Sequence, residues 1–324
     1  MPLYRQAEIY ARQGIDLDRS TLADWVGRAA WWLRPLYDLL TTTALSSPKL
    51  FADDTPLPVL DPGRGRTKTG RVWAYARDDR PWKGPLPPLV VYLYEPDRKG
   101  ERPAHHLAGF TGLLQVDGYA GFKRLTGERE AGPIILVFCW SHSRRKFYDV
   151  HQATGSPIAA EVLRRISCLY QIEAEIRGQP PDHRRVVRQE KSKPLVEALK
   201  AYLEEQLARI PGKSGLAGAI RYLFNHWDGL IRFLDDGRLE LDTNTVERSI
   251  RPIKLGAKNC LFAGSDAGAE TWAIIASLIQ TAKLNGVEPF AWLKDGLERM
   301  VSGQTKATDL HTLLPWAWKP ATAA

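Results

Sequence analysis

Apolar positions change rhythm several times along the chain, and each rhythm predicts a kind of element. Residues 1 to about 46 are apolar at helical spacing, with Leu22, Trp25, Val26, Ala29, Leu33, Leu36 and Leu40 recurring three and four apart. Ser20 is the expected N-cap of this helix, Asp24 falls in its first turns, and Pro35 is expected to kink or interrupt it. The stretch ARQGIDLDRSTLADWV has the cadence of a helix-turn-helix and equally of a plain helical hairpin packed on a core; the hairpin is preferred.

From about 49 to 150 the apolar runs shorten and are broken by Pro and Gly. LFADDTPLPVL, RVWAYARDD, PLVVYLYEP, GLLQVDGYAG and PIILVFCW predict five strands. DPGRGRTKTGR, between the first two, reads as a basic, glycine-rich turn. Short connections make the first three strands an antiparallel meander. The last two are each followed by a helical-looking segment, GFKRLTG and HSRRKFYDVHQ, which is how parallel strands are linked. The predicted fold class is α+β, a mixed five-stranded sheet flanked by helices in the order expected of an RNase H-like sheet.

Helical periodicity returns from about 155 to 241, in AAEVLRRISCLYQIEAEI, KPLVEALKAYLEEQLARI and SGLAGAIRYLFNHWDGLIRFLDD. The basic, proline-containing GQPPDHRRVVRQEKSK between the first two reads as an exposed loop or linker, at most a phosphate contact. AETWAIIASLIQTAKLNG and PFAWLKDGLERMVSG are apolar enough to pack on a sheet, and LLPWAW in the tail should dock because it exposes poorly. Five segments follow: a helical 1–48, a sheet core in two parts (49–154 and 242–303), a helical insertion at 155–241, and a tail at 304–324.

Composition narrows the class of partner. With 324 residues, 44% hydrophobic and 25% charged, the chain reads as soluble and globular. Its net charge of +8 and pI of about 9.3 favour a polyanion, nucleic acid before anionic membrane or acidic protein. Cys139, Cys168 and Cys260 are too few and too scattered for a disulfide framework and suit a reducing compartment. No apolar run is long enough for a transmembrane helix, and MPLYRQAEIYARQG lacks the apolar core of a signal peptide. A cytoplasmic, nucleoid-associated location is expected.

Candidate chemistry comes from acids that interrupt apolar strands. Phosphodiester cleavage and strand transfer are served by two Mg²⁺ ions, which take hard oxygen ligands and keep positions open for water and phosphate. A few carboxylates must then be gathered where apolar side chains would otherwise sit. Asp117 ends the apolar strand of LLQVDGYAG and is followed by Gly118, and the pair Asp53–Asp54 interrupts the first strand in FADDTP. Glu247 in LDTNTVERSIRPIK is the best third acid, in the first turn of a helix that Asp242, Thr243 or Asn244 would cap. Arg251 and Lys254 fall on the same helical face, where they would hold DNA phosphates, although Pro252 is expected to distort the second turn. Taken singly, each motif has a plainer reading as a turn, a cap or a surface ion pair; their ordered combination carries the argument.

The segments FADDTPLPVL, GRVWAYARDD, LLQVDGYAGF, CWSHSRRKF, LDTNTVERSIRPIKLGAKNCLFAGSDAGAE and LIQTAKLNGVEPFAWL resemble, in this order, the large transposase of the insertion sequence 66 family. PLYRQAEIYARQGIDLDRSTLADWVG resembles that family's central region, so the resemblance spans nearly the whole chain. It implies an RNase H-like fold, an Asp-Asp-Glu triad at Asp53, Asp117 and Glu247, and Mg²⁺ or Mn²⁺, with Asp54 as neighbour to the first ligand. It also implies double-stranded DNA as partner, action as a homo-oligomer on paired ends, and accessory proteins encoded by the element. Arg144, Arg145 and Lys146, with Arg248, Arg251, Lys254 and Lys258, are the expected DNA contacts. The chain lacks the further N-terminal region usual in the family and reads as a short form, a truncated copy or a separately encoded core. Thr243 stands where many relatives have Asn, and Ala257 where many have Arg.

Cys139 and His142 form a Cys-x-x-His pair for which zinc would need two more ligands, His105 and His106 being nearest by strand logic. The preferred reading buries Cys139 in a strand and opens a helix at His142. Two alternatives to a transposase follow from the same residues: a structure-specific nuclease on this fold, and a catalytically silent DNA-binding remnant.

Overall fold

The computed structural model describes residues 2–256 and 258–320; Ala257 and the last residues of the tail lie outside the described residues. Helices α1 (Leu3–Arg12) and α2 (Arg19–Leu45) lead into strands β1 (Lys49–Asp61), β2 (Arg66–Arg77) and β3 (Leu89–Glu95), helix α3 (Glu101–His106), and strands β4 (Gly112–Val116) and β5 (Ile134–Phe138). Then come α4 (Trp140–Thr154), α5 (Pro157–Ile176), α6 (Pro181–Val187), α7 (Lys193–Arg209), α8 (Gly215–Phe224) and α9 (Trp227–Ile231). The C-terminal helices are α10 (Asn244–Gly256), α11 (Asp266–Leu284) and α12 (Pro289–Val301). The mixed sheet has the order β3-β2-β1-β4-β5, antiparallel among the first three strands of the chain and parallel between β4 and β5. This is the RNase H-like α+β arrangement that the hydrophobic pattern predicts.

The chain forms two compact units. One comprises Met1–Arg77, Pro87–Thr111 and Thr245–Ala324, the other Asp78–Leu86 and Gly112–Asn244. In the first, β1 and β2 pair in register from Phe51↔Ala76 to Asp61↔Arg66. Gly63 (φ 86°) and Gly65 (φ 62°) in the connecting turn occupy left-handed conformations that favour glycine. The turn is therefore shorter than the basic glycine-rich segment predicts, because Arg66–Arg71 already belongs to β2.

α2 begins after Asp18, two residues earlier than the expected Ser20 cap, and runs unbroken through Pro35. An interior proline costs a helix about 3 kcal/mol. Burial of Leu33, Leu36 and Leu40, each ~1.5–3 kcal/mol, outweighs it. Tyr37 Oη also donates to the Tyr92 carbonyl on β3 at 2.8 Å. α11 lies along β3, where Ser277 and Thr281 hydroxyls bond the backbone of Tyr92 and Val90. The tail docks as its apolar residues predict: Leu310, Leu313 and Leu314 are buried, and Trp292 Nε1 donates to the Leu313 carbonyl.

In the second unit, helices α4 to α9 enclose a core of Trp140, Phe147, Ile166, Leu203, Ile220, Leu230 and Phe233 with Val137 of β5. Gln115 on β4 pairs through both amide atoms with the backbone of Glu240, at 2.9 and 3.0 Å. That clamp holds the segment leading to α10.

One sequence expectation is overturned here. The basic segment read as an exposed loop forms α6 followed by a π-turn over Arg188–Ser192, and Arg184 and Arg188 are wholly buried. Arg188 binds Glu173 bidentately, with two 2.7 Å bonds, and also donates to the carbonyls of Phe233, Asp236 and Leu239. Arg184 bridges Glu173 and Glu240 at 3.1 and 2.8 Å. A composition window cannot show that the segment's charges are neutralised by acids on distant elements. Removing one partner of a buried pair strands the other charge, at a cost of about 3–5 kcal/mol. Arg188→Ala is expected to lose about that much in denaturant unfolding, and Arg188→Ala with Glu173→Ala less than the sum of the single losses.

Candidate functional site

The first unit decides how its adjacent aspartates differ. Strand alternation puts Phe51, Asp53 and Thr55 of β1 on one face, opposite Ala76, Ala74 and Val72 of β2. On that face Phe51, Val72, Ala74 and Ala76 pack with Val246, Ile250 and Ile253 of α10 and Ala273 of α11. Asp53, half-buried, leaves β1 toward the same side as α10. Glu247 follows the buried Val246 in the first turn of α10 and is also half-buried. Tyr92 Oη donates to the Ser249 carbonyl at 2.6 Å and pins α10 to β3. α10 continues through Pro252 to Gly256, so the expected distortion does not end it.

Asp54 leaves by the opposite face, with its side chain 1% exposed. Arg71 donates to it at 3.0 Å, and Arg98 at 2.8 Å from Nη2 and 3.0 Å from Nε. On this face Tyr75 Oη and Glu95 lie 2.9 and 3.1 Å from the two ring nitrogens of His106, and Arg102 pairs with Glu95. Burial raises the Tyr75 phenol and lowers the His106 imidazole. Both nitrogens of His106 are thus engaged within the first unit, so it is not a spare ligand for Cys139.

Asp117 belongs to the second unit, directly after β4. Its Oδ1 accepts the Tyr119 amide at 2.9 Å. A Cβ at Gly118 would stand 2.1 Å from Tyr222 Oη, so glycine is what lets α8 come this close. Burial, then the negative charge of Asp117, pushes the Tyr222 phenol up to about 12. One turn on, His226 Nδ1 lies 2.7 Å from the Tyr222 carbonyl, and its ring meets those of Tyr222 and Phe138 at 4.5 Å. Its Nε2 is buried without a hydrogen-bond partner, and burial lowers its pKa. Lys146 Nζ sits 5.5 Å above the Tyr222 ring. In the sequence Tyr222 and His226 read as ordinary members of a periodic helix. Their only signal was two titratable groups four apart on an otherwise apolar face.

Cys139 caps α4 and is buried, and the Thr243 amide donates to its Sγ at 3.3 Å. Burial holds the thiol protonated, near 11. Arg144, Arg145 and Lys146 on α4, Arg248, Arg251 and Lys254 on α10, and Lys258 after it are all exposed. Among the described residues no helix is long and apolar enough to cross a membrane.

The mixed five-stranded sheet flanked by helices is an RNase H-like arrangement. The family model described as the IS66 family transposase matches residues 1–271, and that of the IS66 C-terminal element matches 277–316. The chain belongs to the IS66 transposase family. Uncharacterized protein y4jD of Sinorhizobium fredii is 51% identical over 98% of this chain and 63% of its own length. Uncharacterized proteins y4qI and y4hP of the same organism are 44% and 40% identical, over 99% and 100% of this chain and 60% of each relative. The chain thus spans about three-fifths of the length of these curated relatives.

Gly118→Ala is expected to destabilise by about 1–3 kcal/mol through overpacking against Tyr222. Much of that loss should be recovered in Gly118→Ala with Tyr222→Leu, as read by thermal unfolding. His226 binds its proton less readily folded than unfolded, so its contribution is whole above the ordinary histidine value of about 6.5 and is lost as pH falls below it. Unfolding midpoints should therefore fall between pH 7 and 5.5, and fall less in His226→Asn.

Proposed function

We propose that this chain cleaves and joins DNA as a metal-dependent transposase, with Asp53, Asp117 and Glu247 as its catalytic carboxylates. The observation that carries the reading is the division of labour on β1. Asp54 is saturated by two guanidinium groups on one face, while Asp53 faces the side on which α10 carries Glu247. Membership in a transposase family supports the same assignment.

The proposed donors, three carboxylates, suit Mg²⁺ or Mn²⁺, and Asp117 Oδ1 accepts the Tyr119 amide. Bound there, two such ions would supply Lewis acidity and an activated oxygen nucleophile. Asp53, Asp117 and Glu247 would hold them. Tyr222, whose phenol stays protonated beside Asp117, is placed to donate to a phosphate oxygen. Arg144, Arg145 and Lys146, with Arg248, Arg251, Lys254 and Lys258, neutralise the phosphates of double-stranded DNA. We read 155–241 as a helical insertion that supplies Tyr222 and His226 to this chemistry.

The test is Mg²⁺- or Mn²⁺-dependent nicking and strand transfer on a duplex carrying the element's terminal repeats. Asp53→Asn, Asp117→Asn and Glu247→Gln should each abolish cleavage while leaving salt-sensitive DNA binding. Asp54→Asn should lower stability but keep cleavage by the folded fraction. Undiminished cutting by Asp117→Asn sinks the assignment, and binding by the wild type without any cutting supports a silent remnant instead.

A further inference from the structure

The basic, glycine-rich segment between β1 and β2 belongs to the first unit and takes no part in the chemistry proposed above. β1 and β2 stay paired down to Asp61↔Arg66, whereas β3 leaves β2 at Arg71↔Glu95. The pairs from Leu57↔Gly70 to Asp61↔Arg66 therefore run on past β3 as a two-stranded ribbon, roughly 16 Å long at the usual rise per residue. Residues 62–67, around its tip, are all exposed. Gly63 and Gly65 take left-handed conformations there and stand against open space, so the tip is narrow and Arg64 projects between them. The root of the ribbon is braced on both edges. Tyr94 lies over Gly70, where a Cβ would stand 2.5 Å from the ring, and its hydroxyl donates to Asp266. Lys68 Nζ pairs with the same carboxylate at 2.6 Å. On the other edge Leu60 N–H donates to the Ala263 carbonyl at 2.8 Å, and Ala263 N–H to the Pro58 carbonyl at 2.9 Å. A ribbon held in this way loses little conformational freedom when a partner takes it up.

Charge and width say what kind of partner fits. Beyond the brace the ribbon carries Arg64 and Arg66 against one acid, Asp61. Among the described residues Arg66 makes no salt bridge, and Arg64 reaches Asp61 only at 3.5 Å with 66% of its side chain exposed. A surface pair so long and so exposed contributes little, which leaves both guanidinium groups to a polyanion. Paired strands lie about 4.8 Å apart, so a two-stranded ribbon with its side chains enters the ~12 Å major groove of B-DNA and is too wide for the ~6 Å minor groove.

We propose that the β1–β2 ribbon is a DNA-binding arm whose tip enters the major groove of a duplex, with Arg64 and Arg66 holding phosphates at the groove's walls. The inference rests on the reading that the chain binds double-stranded DNA. It adds to that reading a contact on a segment separate from α4 and α10, and a groove for it to occupy.

The experiment follows binding of the full chain, without divalent metal, to a G·C-rich duplex by fluorescence anisotropy over a range of salt. Arg64→Ala with Arg66→Ala, checked for an unchanged melting temperature, should weaken binding about tenfold or more at low salt. The same variant should flatten the slope of log K against log salt by about 1–2. Arg64→Lys with Arg66→Lys, which keeps both charges, should keep the wild-type slope. At saturating protein, dimethyl sulfate should methylate guanine N7, an atom of the major groove, less in the wild-type complex than in that of the alanine variant. Equal affinity and slope in the wild type and the alanine variant overturn the proposal, make the tip a solvated hairpin only and leave the DNA reading intact. Equal N7 reactivity in the two complexes overturns insertion into the groove. Failure of the wild type to bind the duplex at all overturns the DNA reading itself.

Discussion

Successive side chains of an extended strand leave opposite faces of a sheet, and on β1 that alternation separates two carboxylates that are neighbours in sequence. A buried carboxylate left without partners costs several kcal/mol, so each must be answered on its own side. Arg71 and Arg98 answer Asp54. Asp53 emerges where α10 covers the sheet. A register slip of one residue would exchange them, turning Asp53 toward Arg71 and Arg98 and Asp54 toward α10. The register is fixed by the turn at Gly63 and Gly65 and by the apolar set Phe51, Val72, Ala74 and Ala76, which would lose its core in the same slip.

The elements of the sheet were legible in the sequence because each strand is a short apolar run bounded by Pro or Gly. Asp117 and Glu247 were legible as acids at a strand end and in a first helical turn. Asp53 is preferred over Asp54 in the sequence only through the family resemblance, because the residues alone do not show which face meets α10, and Arg98 lies beyond β3. The segment holding Arg184 and Arg188 misled for a related reason. Its local composition is that of a solvated linker, and the acids that permit its burial, Glu173 and Glu240, sit on other elements. Tyr222 and His226 were hidden by periodicity, which reports that a helix buries one face and not what lies beneath it.

The second unit shows how a helical segment can hold a polar group in place through its core. Its apolar core fixes α8, and α8 in turn brings Tyr222 to within van der Waals reach of Gly118. Ordering there comes from packing, so the phenol beside Asp117 is held by a core rather than by a loop.

The first unit is assembled from three stretches of chain, and its last stretch begins only at Thr245. During synthesis the meander of β1 to β3 therefore leaves the ribosome with Phe51, Val72 and Tyr92 uncovered, and waits for Val246, Ile250 and Ala273 to close over it. Contacts so remote in sequence form late. A chain ending before α10 would leave the Phe51, Val72 and Tyr92 face of this sheet without the helix that covers it.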